Sequence, residues 1–205
     1  MKWKTLMIGL MAAYLTCSPA KASETTTELV AGHKGISIDT IVQGEVAPRT
    51  NFLVRTTVDT DYEYNATLFS AIDLKPVLVG GLSAMAEFQF TDYGGVDPRA
   101  GFDYFHQGED YMVWVLASVG YNGGANGEIL GFVKYTPEIA EDVKLLMQAE
   151  DITRFGEEGH LFSLQRLRLG LEVGRVGFGA AANLSELGDE LEVDYNLGGF
   201  FSTKF

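Results

Sequence analysis

The sequence predicts an all-β chain that closes into an antiparallel up-and-down barrel and crosses a membrane with about ten strands, within a range of about eight to twelve. Three observations carry this. Most of the chain alternates with a period of two, Gly, Asp, Asn and Pro break the alternation at intervals, and an apolar face rich in Tyr and Phe opposes a polar face with charges of both signs. After the first residues no stretch reaches the ~18 consecutive apolar residues of a spanning helix, so any crossing must be made by strands.

The N-terminus is read first. Met1-Lys2-Trp3-Lys4 is a short basic start, Leu6 to Leu15 is apolar, and Ala20-Lys21-Ala22 supplies small residues for a signal peptidase. Residues 1–22 are expected to be a secretory signal, too short to span a bilayer. A lipoprotein would use Cys17, but Thr16 before it is a poor match to the small residue needed there. Cleavage after Ala22 removes Lys2, Lys4 and Lys21, taking the formal charge from −13 to −16. It also removes the single cysteine, so no disulfide or thiol chemistry is expected. So acidic a chain has no electrostatic case for nucleic acid.

Residues 23–35 read as an N-terminal periplasmic tail and 36–205 as the barrel. The first strand is expected at Ile36–Gly44 or at Asn51–Val58, with one used alone to keep the count even. Phe52 to Leu74 holds one apolar phase throughout, which leaves open a second arrangement, one long strand extending beyond the membrane and paired with Ile36–Gly44. Leu78 to Phe90, Tyr111–Tyr121, Glu128–Tyr135, Leu167 to Val173, Val176–Leu184 and Leu191 to Phe205 alternate in turn. Thr136-Pro137-Glu138 resembles a helix start, yet a strand from about Val143 preserves the even number. Leu74-Lys75-Pro76, Gln107–Asp110 and Gly174-Arg175 read as tight turns; Thr91–Pro98, Asn122–Gly127, Phe155–His160 and Ser185–Asp189 read as longer loops. Short periplasmic turns and longer outer loops are the pattern of a bacterial membrane barrel.

Alternation alone does not say which face looks inward. Tyr62, Tyr64, Phe88, Phe90, Tyr104, Tyr111, Tyr121, Tyr135 and Phe178 lie near strand ends on the apolar face, where rings with a polar tip suit headgroup levels. The polar face then lines a lumen. Its expected charge network is Arg55, Glu87, Arg99, Asp103, Lys134, Lys144, Glu150, Arg166, Arg168, Glu172, Glu192 and Asp194. Buried charge is costly unless paired, so Arg166 and Arg168 are expected to meet carboxylates, as a plug of ion pairs or as a ring that sets selectivity.

The last strand closes on Phe205, with Tyr195, Leu197 and Phe201 on its apolar face. This resembles the C-terminal assembly signal of small Gram-negative outer-membrane β-barrel proteins of the porin-like superfamily. Thr203 and Gly199 depart from the stronger hydrophobes usual on that face. The resemblance implies Sec export, periplasmic chaperones, the barrel-assembly machinery, and residence among outer-membrane lipid and lipopolysaccharide.

No catalytic, dinucleotide, phosphate-binding or zinc motif is present, and no cofactor or metal is expected. One local run, Glu158, His160 and Ser163, has the residue types of an orienter, base and nucleophile, but its spacing is not that of a known triad. The expected function is a non-enzymatic outer-membrane barrel, structural or a narrow porin-like channel. Alternatives are a surface interaction protein acting through acidic outer loops on an unknown extracellular partner, and a lipid-modifying enzyme centred on His160.

Overall fold

A computed structural model describes residues 21–63, 65–92, 94–122, 124–188 and 192–205, with side chains from residue 24 onward. The expected signal segment therefore lies almost wholly outside the described residues, as do Tyr64 and Leu191. The strands are β1 (Lys21–Gly32), β2 (Gly35–Ala47), β3 (Thr50–Asp61), β4 (Ala66–Val79), β5 (Leu82–Thr91), β6 (Gly95–Gln107) and β7 (Tyr111–Tyr121). There follow β8 (Ala125–Tyr135), β9 (Glu138–Ala140), β10 (Val143–Gly156), β11 (Gly159–Val173), β12 (Val176–Leu187) and β13 (Glu192–Lys204).

Each long strand pairs antiparallel with its sequence neighbours, β8 with β10 across the three-residue β9, and β13 returns to β1. The sheet closes, which removes the open edges that lipid could not satisfy. Twelve strands form the wall, where the sequence count gave about ten. The start of β1 and the end of β13 sit at one end of the barrel, here the termini end. Phe205 extends the seam, its N–H donating to the Thr25 carbonyl at 2.9 Å and its carbonyl accepting from Thr25 at 3.3 Å.

Several expectations are corrected. Residues expected to form a tail, 23–35, instead contribute most of β1, so Ile36–Gly44 and Asn51–Val58 are both strands and the parity stays even. The Phe52–Leu74 run is broken between the end of β3 at Asp61 and the start of β4 at Ala66, where Asp61 accepts the N–H groups of Glu63 and Asn65 at 2.9 and 2.8 Å. Leu74-Lys75-Pro76 is no turn but part of β4. The β4–β5 ladder passes from Leu74↔Ala86 to Val77↔Ser83 around Pro76, which has no N–H to give. The reversal comes instead at Gly80-Gly81, both at positive φ (57° and 88°), as a two-residue hairpin turn requires. The helix start at Thr136 is not used, because Thr136 N–H bonds to Asp110 at 2.6 Å and Leu145 N–H to Pro137 at 3.0 Å.

The loops expected to be longer are short. Phe155–His160 is a hairpin with only Glu157 and Glu158 outside the Gly156↔Gly159 pair, and Thr91–Pro98 is mostly strand.

The faces are inverted relative to a soluble barrel. Phe88 and Leu169 on the outer wall are each 58 % exposed, while the inward phase buries Arg55, Asp73, Glu87, Arg99, Asp103, Glu128, Glu150, Arg166 and Arg168. Two small apolar clusters share the interior: Leu53, Met85, Trp114, Leu116 and Leu130 in one, Val30, Leu146, Ala181 and Phe200 in the other.

Candidate functional site: the ion-paired lumen

The period of two decides which side chains enter the lumen, and the register decides which of them meet. On β3, Leu53, Arg55 and Thr57 point in; on β10 the inward phase includes Leu146 and Glu150. These two strands stand six places apart in the ring of twelve, on opposite walls. Arg55 nevertheless reaches Glu150 with both Nη groups, Nη2 donating to Oε2 at 3.0 Å. Its Nε and Nη2 also donate to Asp39 of β2 at 3.0 and 2.8 Å. Arg166 completes a quartet, with Nη1 3.3 Å from Glu150 and 3.6 Å from Asp39. Thr57 donates its hydroxyl to Asp39 at 2.7 Å. Arg55 and Glu150 are 5 % and 4 % exposed, so water has little access to the barrel at this level.

Toward the far end, Arg99 donates to Asp97 at 2.7 Å, to Ser118 at 3.0 Å, and to Asn126. Arg154 donates through Nε to Glu128 at 3.1 Å and through Nη2 to Gln89, whose amide donates to Glu128 at 3.0 Å. Toward the termini end, Lys75 lies 3.1 Å from Asp103, 3.3 Å from Asp73 and 4.5 Å above the Trp114 ring, and Trp114 Nε1 donates to Asp103. Lys134 and Lys204 share Glu172 at 2.7 and 3.0 Å, and Arg168 pairs with Glu28 at 2.8 Å. Each of these cations is thus matched by a carboxylate, from its own strand for Arg99 and from another strand for the rest, which offsets its desolvation.

A cavity of about 690 Å³ lies in the termini half, bounded by Lys75, Trp114, Phe132, Lys134 and Lys204 and capped by the Arg55 quartet. Glu87 is the exception to the pairing. It stands between Asp73 across the β4–β5 ladder and Arg99 across the β5–β6 ladder without forming an ion pair, and its Oε2 is buried without a hydrogen-bond partner, as are Asp73 Oδ1, Asp97 Oδ1 and Arg99 Nη2.

Of the expected network, Arg55, Glu87, Arg99, Asp103, Lys134, Glu150, Arg166, Arg168 and Glu172 are in the lumen. Lys144 has the inward phase and stands opposite Glu172, but it is partly exposed at the termini end and outside the ion pairs. Glu192 and Asp194 are corrected. They keep the inward phase but project beyond the last buried row, where Asp194 meets the exposed Lys34 at the far-end rim. Glu28, Asp39, Asp73, Lys75, Asp97, Glu128, Arg154 and Lys204 join the network unexpectedly. Glu28 lies in the supposed tail, Lys75 in a supposed turn and Asp97 in a supposed loop. The strand phase extended through those segments would have found all three.

The His160 run is partly assembled. Its Nε2 lies 2.8 Å from Ser163 Oγ and its Nδ1 2.9 Å from the Gly188 carbonyl, so a carbonyl takes the place expected for Glu158. Ser163 Oγ also bonds Thr153 Oγ1 at 2.9 Å, and the residue is only 5 % exposed. The arrangement satisfies three polar side chains and leaves the serine little open to a substrate.

No protein-family profile and no curated protein sequence matches the chain. Solved structures do. The chain is similar to the KdgM porin determined in complex with disordered oligogalacturonate (9 % identity, TM-score 0.53, 89 % of this chain and 99 % of that one). It is similar to the NanC porin (7 % identity, TM-score 0.53, 89 % and 98 %) and to LpxR from Salmonella typhimurium (6 % identity, TM-score 0.51, 88 % and 99 %). The fold shared with these proteins is the closed antiparallel up-and-down β-barrel. At these identities the likeness concerns architecture, and the lumen must be read from its own residues.

Proposed function

We propose that this chain is a non-enzymatic integral outer-membrane protein, a porin-like barrel whose lumen is held shut at mid-height by ion pairs. The observation that carries the reading is the Arg55–Glu150 contact between opposite walls, buttressed by Asp39 and Arg166. The termini end faces the periplasm, following the rule for bacterial barrels, and the cavity below the quartet is a periplasm-facing vestibule.

An adhesin role is less favoured, because the strands at the far end are joined by only two to four residues each, with little surface to offer a partner. Planar-bilayer recording tests the proposal. The unaltered protein should show no stable conductance, and the double variant Arg55→Ala, Glu150→Ala should show one. A wild-type channel with steady open steps would sink the closed reading.

A further inference from the structure

The vestibule beneath the Arg55 quartet has an aromatic row and a cationic edge. Register across β6, β7 and β8 sets Phe105 opposite Trp114 and Trp114 opposite Phe132, so these rings share one inward row. That row continues to Glu150 of the quartet. The next row toward the termini end holds Met112, Lys134 and Gln148. Trp114 is fixed by its Nε1 bond to Asp103 and by the Lys75 ammonium 4.5 Å above its ring. Phe105 points inward yet is 37 % exposed, so apolar surface lines a cavity that opens at the termini end.

Lys134 and Lys204 both donate to one oxygen, Glu172 Oε2, at 2.7 and 3.0 Å. Two ammonium groups thus meet one carboxylate, which leaves the spot positive by one charge. Lys144, nearby, is offset by Glu138 opposite it on β9. An ammonium carries several donors, so each of the pair can serve a second acceptor in the cavity that both line. Glu24 and Glu45 line the same cavity from β1 and β2, and they repel an anion toward the lysines.

We propose that the vestibule binds a small amphipathic carboxylate, its head bridging Lys134 and Lys204 and its apolar body lying on the Phe105–Trp114–Phe132 row. The head supplies the missing negative charge, and the body covers ring surface that otherwise faces water. The cavity, about 690 Å³, has the size of a small-molecule site. A sugar acid would satisfy the lysines and not the rings; a fatty alcohol would satisfy the rings and not the lysines. The site rests on the reading of a vestibule closed at mid-height, and its failure is separable from that reading's.

Trp3 and Trp114 are the only tryptophans, so in a Trp3→Phe protein indole fluorescence reports on the cavity alone. The purified full chain in maltoside micelles is titrated with terminally brominated octanoate, whose bromine quenches an indole on contact. Saturable quenching should come at about tenfold lower concentration than with the brominated alcohol of the same length. Unbrominated octanoate should reverse it, and galacturonate at the same concentration should not. Lys134→Gln with Lys204→Gln should raise the acid's half-quenching concentration to the alcohol's while keeping the heat-modifiable gel shift of a folded barrel. Lys34→Gln, at the far-end rim, should change nothing. Equal quenching by acid and alcohol, displacement by galacturonate, or a preference that survives the double lysine variant would overturn the site. The first two outcomes need no lysine variant, so they decide even where that variant fails to fold. Steady conductance of the unaltered protein would instead overturn the closed quartet.

Discussion

Arg55 and Glu150 arise from opposite walls of the barrel and meet at its centre, Nη2 to Oε2 at 3.0 Å. They are 95 residues apart in sequence, and no hairpin brings them together. Closure of the whole sheet does. The contact is therefore a report on the ring as well as a barrier within it.

Glu150→Ala should leave Arg55 and Arg166 sharing only Asp39, and should lower stability by about 3–5 kcal/mol, the usual effect of stranding a buried charge. Replacing Arg55 and Glu150 together by leucine should cost far less, because the desolvation of both ions is avoided. Urea unfolding in lipid vesicles compares the two, and equal losses would show that the pair itself does not govern the effect.

Glu87 stands opposite Asp73 with a buried, unpartnered oxygen. Like charges directly across a ladder are destabilising. Glu87→Gln should therefore raise stability by about 1 kcal/mol in the same assay. A destabilised variant would mean that Arg99, opposite Glu87 across the β5–β6 ladder, outweighs Asp73.

Deletion of Phe205 removes both hydrogen bonds to Thr25 and an outward ring that is 70 % exposed on the barrel wall. The folded yield in detergent should fall modestly, since most of the β1–β13 ladder remains. Membrane assembly in cells should fall much more if Tyr195, Leu197, Phe201 and Phe205 act as the targeting signal. Equal losses in the two settings would assign Phe205 to stability alone.

His160→Ala should leave lipid profiles of expressing cells unchanged and reduce stability by about 1 kcal/mol through the lost Ser163 and Gly188 contacts. A changed acylation pattern would contradict the non-enzymatic reading.

Most of the architecture was legible because a period of two survives in any strand whose two sides meet different media. Glu87, Arg166 and Arg168 could be set inside from phase alone. What was not legible follows from local chemistry that imitates something else. Pro76 imitates a turn, yet a ladder can pass around one missing donor. Thr136-Pro137 imitates a helix start, but its backbone groups are taken by the adjoining connection. Glu28 was missed because β1 follows a cleavage pattern and reads as its tail. Pairing was less legible still, since phase gives a residue's side of the wall and says nothing of which opposing strand its side chain reaches.

The seam between β1 and β13 has a consequence for the order of events in folding. Among the ladders between long strands it alone joins strands from opposite ends of the sequence, in seven register pairs from Thr26↔Lys204 to Gly32↔Gly198. The other long-strand ladders join sequence neighbours or, at β8–β10, bridge one short connection, so they can zip locally. The seam must wait for the rest of the chain and bear the loop-closure entropy. Substitutions there should slow folding, while comparable substitutions in the hairpins should chiefly change unfolding rates.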